Sequence, residues 1–147
     1  MLRRRSLLPA ALAALAAPSP LRAQPGPPHA WTFGTWVGGI FPAVDTQGSV
    51  CFGSPVLIFT RDVVLRVTSL EVAFRQRIIE TVAETPGGLE FRFVPLALPG
   101  GRMVPELGFG CDGNPNILRV ERRGPDEMVL PGCIEFPAAL RRCVTAR

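Results

Sequence analysis

Short runs in which apolar and polar residues alternate dominate the chain and predict β-strands. The segment 31–37 alternates large apolar residues with small or polar ones, which is the period of a half-buried strand. The segment 89–94 alternates more regularly, with Leu89, Phe91 and Phe93 on the face opposite its charged residues. This pattern predicts antiparallel strands that cover a common core.

Turn-forming residues join several of these runs into hairpins. The apolar run 56–60 and the run 63–68 are separated by Arg61-Asp62, which fits a tight turn. A second hairpin joins 117–121 to 127–130 through a turn that contains Gly and Pro.

Residues 70–85 fit neither a regular helix nor a regular strand. A turn signal at residues 85–88, followed by a clear strand, favours a strand with a bulge near Ile78-Ile79 over a helix. The hairpin would then carry a solvated ladder of charges. Its members are Arg75, Arg77, Glu90 and Arg92.

About seven short strands without an internal repeat predict one all-β domain over residues 31–147, built as a small antiparallel barrel or sandwich. Residues 137–142, which begin with Pro137, predict a short C-terminal helical turn. Residues 24–30 are rich in proline and predict a flexible lead-in to the domain.

The first 23 residues have the pattern of a signal peptide. Three arginines precede an apolar run of about 11 residues, whereas a transmembrane helix needs about 20. Leu21-Arg22-Ala23 offers a cleavage site before Gln24. Residues 4–8 resemble a twin-arginine export signal, and a general secretory signal explains them equally well. We therefore expect a periplasmic or secreted bacterial protein that does not insert into the membrane after cleavage.

Loss of the leader changes the net charge. Of 16 basic residues, four are arginines within the first 23 positions, so 12 remain against 12 acidic residues. A neutral exported domain does not offer the basic surface that phosphates require, and nucleic-acid binding is not expected.

The cysteines are Cys51, Cys111, Cys133 and Cys143, an even number that predicts two disulfides in an oxidising compartment. We favour Cys133 with Cys143, because a helical turn between them would bring the ends together. Cys51 with Cys111 then follows by elimination. No two cysteines have C-x-x-C spacing, so the sequence predicts no metal site and no cofactor.

Residues that could support catalysis are few. His29, the only histidine, falls in the lead-in, where it does not suit a Ser-His-Asp or Cys-His arrangement. Glu80, Glu84 and Glu90 are nominal candidates for a hydrolase, but evenly spaced surface acids explain them more simply. We therefore expect no enzymatic activity.

Asp112-Gly113-Asn114-Pro115-Asn116 matches three ligand positions of a calcium loop. Ile117 and Arg123 stand where that loop requires Gly and Glu. We predict instead a turn stabilised by Asx side chains, which Cys111 could fix covalently.

Six of the eleven aromatic residues lie between positions 31 and 59 of the chain. They either fill the core or line a cavity in the mouth of a barrel. In the second case the ligand-binding residues would be Trp31, Phe33, Trp36 and Phe59. The predicted partner is a small apolar ligand or an envelope protein, and a structural domain without a ligand is the alternative.

Gly34-Thr35-Trp36 resembles the G-x-W signature of lipocalins and other calycin barrels, although the chain has no Tyr and so lacks the lipocalin T-D-Y pattern. The chain is also similar to bacterial metalloprotease inhibitors of calycin type and to small exported proteins of α-proteobacteria. The resemblance implies that Trp36 closes one end of a barrel by packing. The inhibitor likeness implies that the tail from Gln24 to Ala30 would enter a protease active site.

Overall fold

A computed structural model of the 147-residue chain describes residues 26–38, 56–67, 75–96, 108–109 and 111–143. The predicted signal peptide and Cys51 lie outside these ranges. Within them, no helix has the length and apolar character needed to cross a membrane.

Eight antiparallel strands form a closed barrel in which each strand bonds to its neighbours in sequence. The strands are β1 Gly34–Val37, β2 Val56–Phe59, β3 Val63–Val67, β4 Arg75–Thr85, β5 Gly88–Phe93, β6 Ile117–Arg122, β7 Glu127–Val129 and β8 Leu140–Arg142. A 3₁₀ turn, Ala30–Thr32, precedes β1. The seam between β1 and β8 sets Trp36 opposite Arg142 and Val37 opposite Arg141.

The predicted all-β antiparallel class is confirmed, and the described strands form a barrel rather than a sandwich. The strand count is eight rather than about seven. The predicted C-terminal helical turn is wrong, because Leu140–Arg142 forms β8 between β1 and β7. Burial explains this outcome: Leu140 enters the core while Arg141 faces solvent, which is strand alternation.

Strand β4 confirms the predicted strand and bulge, because its register with β5 shifts between Ile79 and Thr81. The predicted solvated ladder is wrong for Arg75 and Arg77, the two arginines of β4. Arg77 is only 2% exposed, and Arg75 lies opposite Arg66 on β3 rather than opposite β5. Residues 70–74 lie outside the described ranges.

Inward-facing side chains fill the described interior. Eight strands enclose a space just wide enough for side chains or one small ligand. The buried cluster consists of Trp36, Leu57, Phe59, Val64, Leu89, Phe91, Phe93, Phe109, Leu118, Val120, Met128, Leu130, Cys133, Phe136 and Leu140.

The two ends of the barrel differ. Short turns at residues 60–62, 86–87 and 123–126 share the end from which β1 starts, which we call the turn end. The longer connections, including β5 to β6 and β7 to β8, lie at the opposite end, the loop end.

A disulfide joins Cys111 to Cys133 and so links the two loop-end connections just named. Cys143 is also disulfide-bonded. A disulfide is thus confirmed, but both favoured pairings, Cys133 with Cys143 and Cys51 with Cys111, are wrong. The reason is β8, which carries the chain from the loop end to the turn end and separates Cys133 from Cys143.

Candidate functional site

Residues 26–33, which we call the N-terminal strap, pack across the turn end. Although the sequence places His29 in a flexible lead-in, its side chain is buried, at 5% exposure. Its Nε2 donates a hydrogen bond to the Arg61 carbonyl oxygen at 2.8 Å. Its ring meets Phe33 and Phe91 edge-on, at centroid distances of 5.2 and 5.6 Å. The strap is therefore joined to the barrel by a buried polar contact within an aromatic cluster.

Trp36 lies beneath the strap and is fully buried. Its indole Nε1 donates to the Thr32 carbonyl oxygen at 2.6 Å. Gly34, two residues earlier, has φ +117°, a conformation that L side chains rarely adopt. The G-x-W segment thus supplies both the bend that leads from the strap into β1 and the side chain that fills this end of the core.

Arg142 of β8 holds the strap, β1 and the β6–β7 turn together. Its guanidinium carbon lies 4.2 Å from the centroid of the Trp36 ring. Two of its nitrogens donate to the carbonyl oxygens of Phe33 and Trp31, each at 2.5 Å. Its Nε also donates to Asp126 Oδ1 at 3.0 Å. Sequence reasoning missed this residue, because local sequence does not distinguish Arg142 from its neighbour Arg141.

The aromatic residues predicted to bind a ligand occupy two different environments. Trp36 and Phe59 belong to the buried core cluster. Phe33 lies in the strap beside His29, and Trp31 packs on the core while lining a groove on the surface. Of the four, Trp31 is thus the residue placed at a surface recess.

That recess, the arginine groove, has a volume of about 420 Å³. Its lining residues are Trp31, Gly87, Gly88, Arg122, Arg123 and Gly124. The Arg122 guanidinium carbon lies 5.1 Å from the Trp31 ring centroid, which forms a cation–π contact. A second recess of about 410 Å³ shares Arg123 and Gly124 with the groove and extends it toward Arg141 and Arg142.

Ion pairs neutralise most of the charge around this groove. Arg123 pairs with Glu121 at 2.8 Å, and Arg141 pairs with Glu127 at 3.6 Å. Arg122 takes part in no ion pair within the described part of the chain, and its Nε donates to the Gly124 carbonyl oxygen at 3.1 Å. The groove therefore exposes a cation stacked on an aromatic ring.

Close backbone packing forms one wall of the groove. A Cβ atom added at Gly88 would lie 1.9 Å from the Val120 carbonyl oxygen. Only glycine allows β5 and β6 to approach this closely at that point, because the Val120 backbone cannot yield as a flexible side chain could.

A smaller recess, the edge groove, lies against the strap and has a volume of about 220 Å³. Its lining residues are Pro27, Pro28, His29, Arg61, Asp62, Ile79, Glu80, Thr81 and Val82. The groove therefore runs between the strap and β4. His29 Nδ1 is buried and has no hydrogen-bond partner among the described atoms.

A buried arginine fixes the loop end. Arg77 donates to the carbonyl oxygens of Pro115 and Val94 at 2.8 and 3.2 Å, and to Asn116 Oδ1 at 2.5 Å. Burial lowers the pKa of its guanidinium below the ordinary arginine value. Sequence reasoning placed Arg77 on the surface, because alternation alone does not reveal which polar side chain a barrel takes inside.

The loop end also holds an ion cluster built around Glu135. Its carboxylate pairs with Arg66 and lies 3.6 Å from a nitrogen of Arg75. The Arg66 guanidinium carbon is 5.5 Å from the centroid of the Phe136 ring. These contacts attach the β7–β8 connection to β3 and β4.

The carboxylates considered for hydrolysis do not gather into a pair. Glu90 contacts Arg92 and Arg119 at 3.3 and 3.1 Å, while Glu80 and Glu84 are exposed along β4. Across the described ranges, no three His, Cys, Asp or Glu side chains cluster closely enough to hold a metal ion.

The predicted Asx turn is present where the calcium-loop pattern fails. The Asn116 backbone N–H donates to Asn114 Oδ1 at 2.9 Å, and the Ile117 N–H donates to the Asn114 carbonyl oxygen at the same distance. Cys111 fixes this segment through its disulfide with Cys133, as expected for a covalently held turn.

No family model, curated protein or solved structure matches the chain.

Proposed function

We propose that this protein is an exported, non-catalytic barrel that binds a protein partner of the cell envelope at its turn end. The observation that carries the proposal is the arginine groove, in which Arg122 stacks on the half-buried Trp31. Trp and Arg are enriched among the residues that dominate binding energy in protein interfaces. Together with the adjoining recess, the groove offers a continuous concave surface on this end.

The filled interior favours a surface partner over an apolar ligand held inside the barrel. Trp36, Phe59, Phe91 and Phe93 are each at most 1% exposed and pack in one cluster. A ligand would have to displace these close-packed side chains, which would remove their contacts with one another.

Export is part of the proposal. A disulfide between Cys111 and Cys133 is compatible with an oxidising compartment, where such bonds form and persist. The amino-terminal pattern described above, with cleavage before Gln24, supplies the route. We propose a periplasmic or secreted location on these two grounds.

Site-specific photo-crosslinking in the native host tests the proposal. A benzoylphenylalanine replaces Arg123 in the groove, and the control replaces Arg119, which is exposed on β6 outside the groove. We expect a discrete crosslinked adduct with a partner protein from position 123 only. The variant Arg122→Glu should suppress this adduct without changing the unfolding midpoint. Equal adducts from both positions, or none from position 123, would refute the proposal.

A protease inhibitor that acts through the tail from Gln24 to Ala30 is the second candidate. The contacts of His29 fix the base of that tail, while Gly26 and Pro28 remain exposed. The eight-stranded up-and-down barrel is also the architecture of lipocalins, which supports the calycin resemblance at the level of fold.

Deletion of residues 24–28 separates the two candidates. The deletion should abolish inhibition of the host's secreted metalloproteases, measured with a fluorogenic peptide, if the tail is inhibitory. The crosslink from position 123 should persist if the groove is the binding surface. A structural domain without a ligand would show neither activity in the intact protein.

A further inference from the structure

Strand β4 is much longer than its neighbour β3 and pairs with it through only part of its length. β3 contacts β4 from Arg75 to Ile78, and one further bond joins the Ile79 N–H to the Asp62 carbonyl oxygen at 2.8 Å. From Thr81 to Thr85, β4 pairs with β5 on its other side. On the side where β3 pairs with the first residues of β4, Glu80–Thr85 makes no backbone hydrogen bond to any described residue.

Within the described ranges this segment, which we call the β4 edge, is therefore an open strand edge in an otherwise closed barrel. Alternate residues of such an edge direct both N–H and C=O groups outward. The five residues from Thr81 to Thr85 span roughly 17 Å at the usual rise of a strand.

The edge groove provides space beside the start of this edge. It separates residues 79–82 of β4 from Pro27, Pro28 and His29 of the strap. The two prolines have no N–H to donate, so at these positions the strap lacks the donors of a neighbouring strand. The buried Nδ1 of His29, without a partner among the described atoms, adds an unused acceptor to the groove wall.

The charge of this surface is predominantly acidic. Glu80 and Glu84 are the charged residues of the β4 edge, and both are exposed. The groove adds the carboxylate of Asp62 and the guanidinium of Arg61. An incoming strand with arginine or lysine at alternate positions would be complementary to these acids.

We propose that the β4 edge binds an extended basic segment of the partner protein, which pairs with Thr81–Thr85 as a ninth strand. Backbone hydrogen bonds supply the binding energy in this mode, and alternate side chains supply specificity. The inference deepens the proposed function and rests on it for the existence of a partner. It does not require that the partner also occupies the arginine groove.

The opposing possibility is that the β4 edge is protected rather than open. Bulges and charged side chains on edge strands commonly prevent pairing with other chains. Here the register shift between Ile79 and Thr81 and the carboxylates of Glu80 and Glu84 could serve that purpose. The bulge ends at Thr81, so the residues that follow retain the regular geometry that pairing requires.

Amide hydrogen exchange of the full exported protein with a capped heptapeptide tests the proposal. The probe alternates arginine with threonine or valine, and a matched peptide carries glutamate in place of arginine. We expect the basic peptide to slow exchange of the outward amides within Thr81–Thr85 at least tenfold, and the acidic peptide to leave them unchanged. Absence of protection by the basic peptide, or equal protection by both, would overturn the proposal.

Two N-methylated forms of the probe distinguish strand pairing from charge attraction. One form is methylated on the amides that face one edge of the extended peptide, and the other on the alternate amides. If the peptide pairs with β4 through one of its edges, the form methylated on that edge should not bind, and the other form should bind. Binding by both forms, or by neither, would contradict strand addition.

Variants locate the charge contribution. The double variant Glu80→Gln with Glu84→Gln should lower the affinity for the basic peptide about fivefold, as expected for the loss of two exposed ion pairs. The matched control is Glu121→Gln, because Glu121 lies on β6 and pairs with Arg123. This variant should leave the affinity for the basic peptide unchanged. If the crosslink from position 123 persists but the basic peptide does not bind, this inference alone is refuted. If the peptide binds but the crosslink from position 123 is absent, only the proposal that the partner binds at the arginine groove is refuted.

Discussion

Replacement of Arg142 by alanine is the sharpest test of how the turn end is held together. The side chain is 25% exposed and contacts the strap, β1 and the β6–β7 turn simultaneously. Removal would leave the carbonyl oxygens of Phe33 and Trp31 without these donors and would uncover one face of Trp36. All three losses affect the folded state only.

The magnitude follows from the separate contacts. A hydrogen bond from a charged donor contributes about 1.5–3 kcal/mol, and a partly desolvated cation–π contact contributes about 1–2 kcal/mol. The ion pair with Asp126 adds little, because that carboxylate is 68% exposed. Since adjacent contacts are not additive, we expect Arg142→Ala to lower the free energy of unfolding by about 3 kcal/mol.

Urea unfolding followed by tryptophan fluorescence under non-reducing conditions measures the change. At a denaturant dependence of about 2 kcal/mol per molar, the midpoint should fall by about 1.5 M. Arg141→Ala is the matched control, since that side chain is 59% exposed and pairs only with Glu127 among described residues. The control should lower the free energy of unfolding by less than about 0.5 kcal/mol. Equal midpoints for the two variants would refute this account of Arg142.

Three further predictions concern stability. Replacing Cys111 and Cys133 together by serine should cost about 3 kcal/mol, measured by urea unfolding, because their bond closes a loop with a sequence separation of 22. Gly88→Ala should lower the melting temperature by at least about 5 °C, since its Cβ would collide with the adjacent backbone. Gly124→Ala should change it little, because the added Cβ would meet only the Glu127 Cβ at 4.0 Å. Arg77→Met should cost about 3 kcal/mol or more in the same urea assay, because it leaves three acceptors without their donor, and an unchanged midpoint would contradict that role.

Alternation in the sequence was sufficient to predict the hairpins. The pairs β2–β3 and β6–β7 lie where the apolar runs and turn residues predict them, and the difficult segment before Thr85 is a strand with a bulge. These features depend on local pattern and on turn chemistry. Both can be recognised within about ten residues of sequence.

The features that were missed depend on contacts between distant parts of the chain. β8 has three residues, too few to show a period, and its identity as a strand comes from closure against β1. The disulfide partners follow from where the loops lie in the barrel. Arg77 and Arg142 are fixed by carbonyl oxygens up to 111 residues away, which no local window contains.

The seam that closes the barrel also sets an order of events in folding. Arg142 reaches a carbonyl oxygen 109 residues earlier in the chain, so this contact cannot form until nearly all of the domain is available to fold. Until then, β1 has no β8 partner and Trp36 lacks its cover. Closure of so distant a pair is slow, and the incomplete barrel exposes surface that can aggregate. We therefore expect barrel closure to be the late step of folding.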